Sequence, residues 1–156
     1  MTERIGKYEL LEIKSNGAFG ICYKAKDDNN NIYAIKKILV KSKNHEKLIQ
    51  NEIYILKAMK SKYSVEFIEY LKKGDYYYIV MELCDDDLNY LIEKKKITKD
   101  IITIIKILIQ LNEVLNLMHS KKIEHRDLKP QNILIKYKNE NKNEFDIKLT
   151  DYGAAR

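Results

Sequence analysis

The sequence predicts an α+β fold in two parts: a five-stranded antiparallel sheet with one helix, then a partial, mainly helical region. Two observations carry this. Up to about residue 81, short runs of alternating apolar and polar residues are divided by turns rich in Gly, Asn and Asp, with one run of helical spacing among them. Beyond residue 87 the apolar spacing becomes helical, and only two short strand-like runs remain.

Lys7 to Lys14 and Ile21 to Lys26 read as two strands joined by Ser15-Asn-Gly-Ala-Phe-Gly20, and Ile32 to Val40 as a third strand after the turn Asp27-Asp-Asn-Asn-Asn31. From Asn44 to Lys60, Leu48, Ile49, Ile53, Leu56 and Met59 recur at helical spacing. Val65 to Tyr70 and Tyr76 to Met81 flank Lys72-Lys-Gly-Asp75 as a hairpin. Asp87 to Lys94 predicts a short helix. Thr98 to Ser120 predicts a long one, with Thr98 as its cap and apolar residues facing nearly every direction, so it is expected to lie inside something. Ile133 to Lys136 and Ile147 to Thr150 are short strands separated by the polar loop Lys138 to Asn143.

Composition narrows the function classes. Ile, Leu, Val and Phe fill 46 of 156 positions, enough for a buried core. The net charge of +6 is spread along the chain, which suits anionic ligands, and no basic stripe with interleaved aromatics points to nucleic acid. Cys22 and Cys84 lie far apart without metal-ligand spacing, which argues for a reducing, cytoplasmic setting. The N-terminus has no apolar leader. Polar residues interrupt the greasiest segment, Ile101 to Met118, so no membrane span is expected.

Three groups of residues carry chemistry. Gly17 and Gly20 would let backbone N–H groups approach a polyphosphate, although an isolated G-x-x-G reads first as a plain hairpin turn. Lys36 shares a strand face with Ile32, Ala34 and Ile38, while Glu52 interrupts the apolar stripe of the following helix. Two opposite charges on buried faces are best explained by each other, the alternative being that both reach solvent. In His125-Arg-Asp-Leu-Lys-Pro-Gln-Asn132, Asp127 offers a proton acceptor, Lys129 a cation, and Asn132 a neutral oxygen ligand for a hard metal ion. Asp151-Tyr-Gly153 adds an anionic metal ligand directly after a strand.

From Tyr8 to Arg156 these motifs resemble, in order, those of the eukaryotic protein kinases of serine/threonine type. Ser15 to Gly20 stands for the Gly-rich loop, Tyr33 to Lys36 for the lysine strand, and Glu52 for the helix glutamate. Tyr78 to Cys84 corresponds to the hinge, His125 to Asn132 to the catalytic loop, and Asp151 to Gly153 to the metal-binding turn. The resemblance implies a kinase-like small lobe at about 1–81, a hinge at 82–86 and an incomplete large lobe at 87–156. It also implies ATP and Mg2+ as cofactors, protein Ser/Thr hydroxyls as acceptors, and a regulatory protein partner. Lys36 would grip the phosphates with Glu52 holding it, Asp127 would orient the hydroxyl beside Lys129, and Asn132 and Asp151 would hold metal. Ser15, Gly17, Phe19, Gly20, Cys22, Ala34, Met81, Glu82, Cys84, Asp87 and Leu134 would surround the nucleotide, with the backbone of Glu82 and Cys84 bonding the adenine and Asp87 near the ribose. Gln131 and the insertion before Asp151 are similar to those of autophagy-initiating kinases.

Ser15 stands where the family has its first loop glycine, Cys22 where it usually has valine, and Tyr152 where it usually has phenylalanine, so a buried phenol oxygen needs a partner there. The sequence stops three residues past Gly153, which predicts a truncated domain that leaves apolar residues of the long helix uncovered and transfers little phosphate alone. Two functions are therefore expected to compete: an ATP-dependent serine/threonine kinase, and an inactive nucleotide-binding pseudokinase or regulatory fragment.

Overall fold

The computed structural model describes residues 3–17, 20–94 and 100–156. These form two compact units, Met1–Tyr54 with Glu66–Leu83, and Ile55–Val65 with Cys84–Arg156.

In the first unit, β1 (Arg4–Ile5), β2 (Tyr8–Gly17), β3 (Gly20–Lys26) and β4 (Ile32–Leu39) precede α1 (Lys43–Ala58), whose last residues, 55–58, count with the second unit, and after it come β5 (Phe67–Lys73) and β6 (Tyr76–Glu82). The strands make one antiparallel sheet in the order β1-β2-β3-β4-β6-β5. The sheet thus has six strands instead of the expected five, because Arg4 and Ile5 add an edge strand too short for alternation to reveal. The reason for β1 lies beneath it. Ile5 is buried with Tyr8, Leu10, Ala25, Ile35, Tyr78 and Val80, and the Glu3 carboxylate accepts from Lys37 Nζ at 2.7 Å and Tyr78 Oη at 3.0 Å.

Helix α1 opens with a reciprocal cap: the His45 N–H donates to Ser42 Oγ, and the Lys41 N–H donates to His45 Nδ1. Its side chains Ile49, Glu52 and Ile53 are buried. Glu46 fastens the first half of the helix to the sheet, accepting from Lys72 Nζ at 2.6 Å and Tyr77 Oη at 2.9 Å.

Gly17 and Gly20 pair across the β2–β3 tip. Gly20 has φ +121°, and a Cβ built there would stand 2.5 Å from the Lys37 carbonyl oxygen. Backbone, not a flexible side chain, blocks the way. Gly20→Ala is therefore expected to destabilise the fold by about 1–3 kcal/mol, read as a lower thermal midpoint; an unchanged midpoint would show that β4 yields freely.

In the second unit, β7 (Asp86–Asp87) leads into α2 (Leu88–Glu93) and α3 (Ile101–Ser120), followed by β8 (Ile133–Tyr137) and β9 (Phe145–Leu149). These strands form an antiparallel sheet in the order β7-β8-β9, with Tyr137 opposite Phe145 across the exposed polar loop. The short strand β7 was not expected from sequence. It is held by Tyr137, whose N–H donates to Asp85 Oδ2 and whose hydroxyl donates to Asp86 Oδ2, each at 2.9 Å.

Thr98, the expected cap of the long helix, lies outside the described residues; Asp100 caps α3, accepting from the Ile102 and Thr103 N–H groups. The helix is covered on one face and leaves an apolar patch exposed, as expected. Ile107, Val114 and Met118 are buried and the Gln110 side-chain Oε1 accepts from the Ile147 N–H of β9, whereas Ile101, Ile102, Ile105, Leu108 and Ile109 are exposed. By length and composition alone α3 would suffice to cross a membrane, a weak sign that core helices of water-soluble domains also give.

Candidate active site

In the first unit, strand register gathers one set of predicted residues. Directly opposed residues of antiparallel strands share a face, and Ser15 opposes Cys22, Cys22 opposes Lys36, and Ala34 opposes Met81. Ser15, Cys22, Ala34, Lys36 and Met81 therefore lie on one face of the sheet. Ile79, opposite Lys36, joins them; sequence reasoning missed it, although its two-residue offset from Met81 was the available signal. Phe19 lies outside the described residues.

Lys36 Nζ stands 2.6 Å from Glu52 Oε1, with side chains 12% and 5% exposed. An ammonium is thus held on the apolar face by a buried carboxylate of α1, and neither reaches solvent as the alternative required. Burial pushes the Cys22 thiol up from its usual pKa, with Lys36 acting weakly against this, so Cys22 is a small apolar neighbour here. The Glu82 N–H donates to the Glu66 carbonyl at 3.0 Å, which commits that donor to the protein.

In the second unit, Cys84 is buried, and Asp87 opposes Leu134 across β7–β8. Asp87 Oδ1 caps α2, accepting from the Tyr90 N–H at 2.8 Å, a structural task that the sequence reading did not assign.

The segment 125–132 converges on Asp127. Lys129 Nζ lies 2.9 Å from Asp127 Oδ2, and Asn132 Nδ2 donates to the same oxygen at 3.0 Å and to the Asp127 carbonyl at 2.8 Å. The Lys129 ammonium, with help from the Asn132 amide, holds the Asp127 carboxyl below the usual carboxylate range. Asp127 therefore stays ionised at neutral pH, a strong acceptor for orienting a hydroxyl. Because both Asn132 donor bonds use nitrogen, the amide oxygen is the end that can meet a cation.

Asp151 follows β9 in a left-handed conformation, φ 61° and ψ 67°, and Arg126 has φ 64°. Such strain in residues other than glycine gathers at functional turns. The Thr150 N–H donates to the Asn132 carbonyl at 3.0 Å, joining the Asp151 turn to the Asn132 segment. Among the described residues no group of three or more His, Cys, Asp or Glu is arranged to hold a metal. One amide oxygen and one carboxylate form a sparse set of hard donors, suited to Mg2+, which keeps waters and takes substrate phosphate oxygens as its other ligands.

His125 is 5% exposed, with its ring packed against Tyr152. Nε2 lies 2.9 Å from the Thr150 carbonyl, an acceptor, while Nδ1 accepts from the Asp127 N–H. The two contacts fix one neutral tautomer, and burial pulls the pKa down from 6.5 against the opposing pull of the Thr150 carbonyl. A base with a lowered folded pKa contributes stability that is fully present above 6.5 and is lost as pH falls from there through the folded value. Thermal midpoints should therefore drop below pH 6.5 more steeply in the wild type than in His125→Asn, and parallel curves would remove His125 as the cause.

Comparison with known proteins agrees with this geometry. Residues 8–156 match the protein kinase domain family. The chain is 36% identical over 153 residues to cyclin-dependent kinase-like 1 of Caenorhabditis elegans, covering 96% of this chain and 42% of that protein. It is 33% identical over 165 residues to serine/threonine-protein kinase ULK1 of Homo sapiens, covering 99% and 16%. To the probable serine/threonine-protein kinase zyg-1 of Caenorhabditis elegans it is 35% identical over 153 residues, covering 97% and 21%. The chain thus spans less than half the length of these relatives.

Proposed function

The chain belongs to the protein kinase domain family, and from that premise we propose that it binds Mg2+-ATP and transfers the γ-phosphate to Ser/Thr hydroxyls of a protein substrate. The observation that carries the proposal is the Asp127 cluster, in which Lys129 and Asn132 hold an ionised carboxylate in place. Phosphoryl transfer asks a protein mostly for positioning and charge neutralisation. Lys36, braced by Glu52, supplies positive charge for the α- and β-phosphates. Asp127 orients the acceptor hydroxyl and takes its proton late in the transfer, and Lys129 offsets the charge beside it. Asn132 and Asp151 would hold Mg2+, which when bound neutralises phosphate charge. On this reading residues 1–81 serve as the small lobe, 82–86 as the hinge and 87–156 as part of the large lobe, and Cys22 and Cys84, neither of them in a disulfide, support a cytoplasmic setting.

The test pairs titration of a non-hydrolysable ATP analogue, across Mg2+ concentrations, with transfer of labelled phosphate to a serine/threonine peptide mixture. Asp151→Ala is expected to raise the Mg2+ midpoint of analogue binding by about tenfold or more, the loss of one charged ligand contact. An unaltered midpoint would count against the metal role. Analogue binding without transfer would favour the pseudokinase reading.

A further inference from the structure

Asp151 is held in a left-handed conformation that an L side chain adopts only against steric cost, so its neighbours must hold it there. On its N-terminal side, Thr150 bonds through its N–H to the Asn132 carbonyl and through its own carbonyl to His125 Nε2. On its C-terminal side stands Tyr152, completely buried, whose hydroxyl would be costly to leave unpaired. That hydroxyl lies 2.7 Å from Ser64 Oγ, itself 1% exposed and 88 residues away in sequence. It also donates to the Leu149 carbonyl at 3.3 Å. A carbonyl only accepts, so the order is fixed: Ser64 donates to the phenol oxygen, and the phenol donates to Leu149. The Leu149 carbonyl meanwhile accepts from the Val65 N–H at 2.9 Å, and the Leu149 N–H donates to the Tyr63 carbonyl at 2.8 Å.

We propose that Ser64 and Tyr152 are a positioning pair that clamps the Asp151 turn, fixing the carboxylate where its metal role requires it; this rests on the kinase reading above. Ring packing against His125 would be available to phenylalanine as well. Only the phenol ties the ring's far end to segment 63–65, which also holds the end of β9. With both sides of Asp151 bonded, the turn has no slack through which to relax its backbone. Ser64 and Tyr152 are thus matched: each buried hydroxyl is the reason the other is tolerated.

The experiment compares wild type, Ser64→Ala, Ser64→Thr and the double variant Ser64→Ala/Tyr152→Phe. It measures three quantities in each: thermal midpoint, the Mg2+ midpoint of ATP-analogue binding, and hydrogen exchange at the Ala155 amide, which donates to the Tyr152 carbonyl. Ser64→Ala alone leaves a buried phenol half-satisfied and should lower the thermal midpoint. The double variant removes both hydroxyls and should restore it. Despite restored stability, the double variant should exchange Ala155 and require Mg2+ at values raised roughly five- to tenfold, the worth of one hydrogen bond, while Ser64→Thr stays at wild type. Unchanged exchange in the double variant overturns the clamp. Faster exchange with an unchanged Mg2+ midpoint overturns the positioning role. Wild type that binds no analogue at any Mg2+ concentration defeats the kinase reading, and with it the role toward metal, while exchange still decides whether the pair holds the turn.

Discussion

Lys36→Met is expected to weaken binding of an ATP analogue by about 10- to 100-fold, from the roughly 1.5–3 kcal/mol of a hydrogen bond to a charged group, and to destabilise the fold as well. The second effect comes from Glu52, which is 4% exposed and would lose its ammonium partner. Removing one partner of a buried ion pair costs about 3–5 kcal/mol. The two effects separate in a double variant. Lys36→Met/Glu52→Leu replaces the pair with apolar groups between Ile49, Ile53 and the sheet, so stability should return while analogue binding stays weak. Calorimetric titration and thermal melts of the three proteins decide the matter. Wild-type affinity in Lys36→Met would remove Lys36 from the nucleotide site. Recovery of affinity in the double variant would mean that the lysine served the fold alone.

Much of this site was legible because its logic is local. Lys36 on an apolar strand face and Glu52 on an apolar helix stripe were each anomalous within a few residues of sequence, and the structure pairs them at 2.6 Å. The segment His125 to Asn132 is compact enough that Asp127, Lys129 and Asn132 meet within one loop. What stayed hidden depends on distant partners or on elements too short for a period. Arg4 and Ile5 form a strand because Ile5 covers Tyr8 and Tyr78, and two residues cannot show alternation. Sequence flagged the Tyr152 hydroxyl as needing a partner but could not find Ser64, because nothing local links positions 88 residues apart. Asp87 was expected near the ribose by its place after the hinge-like segment, and its further task, capping α2 through Oδ1, is set by the geometry of that helix start. The apolar residues of α3 were legible as a helix that wants more cover than it has, since composition reports how much cover a helix could use and its exposure is set by how much these residues give it.

Asp127→Asn is expected to lower the turnover number for peptide phosphorylation by about 10²–10⁴-fold, the usual reach of a positioned proton acceptor, with analogue affinity held within about twofold. The amide has the same shape, and its oxygen can still accept from Lys129 and Asn132, so the loop should keep its form. What disappears is the negative charge that, in the proposed function, orients the hydroxyl and receives its proton. The setting makes that charge dependable, since Lys129 and Asn132 hold the carboxyl below its ordinary 3.8. Its basicity is correspondingly weak, which fits an acceptor that takes the proton late, when the attacking oxygen has already become acidic. Lys129→Met provides the complementary check. Asp127 would remain ionised at neutral pH but lose its closest cation, so turnover should fall less than in Asp127→Asn. If Asp127→Asn turned over at the wild-type rate, Asp127 would have no part in the transfer step. If instead nucleotide affinity fell in parallel with turnover, the carboxylate would be serving ATP binding and not the hydroxyl.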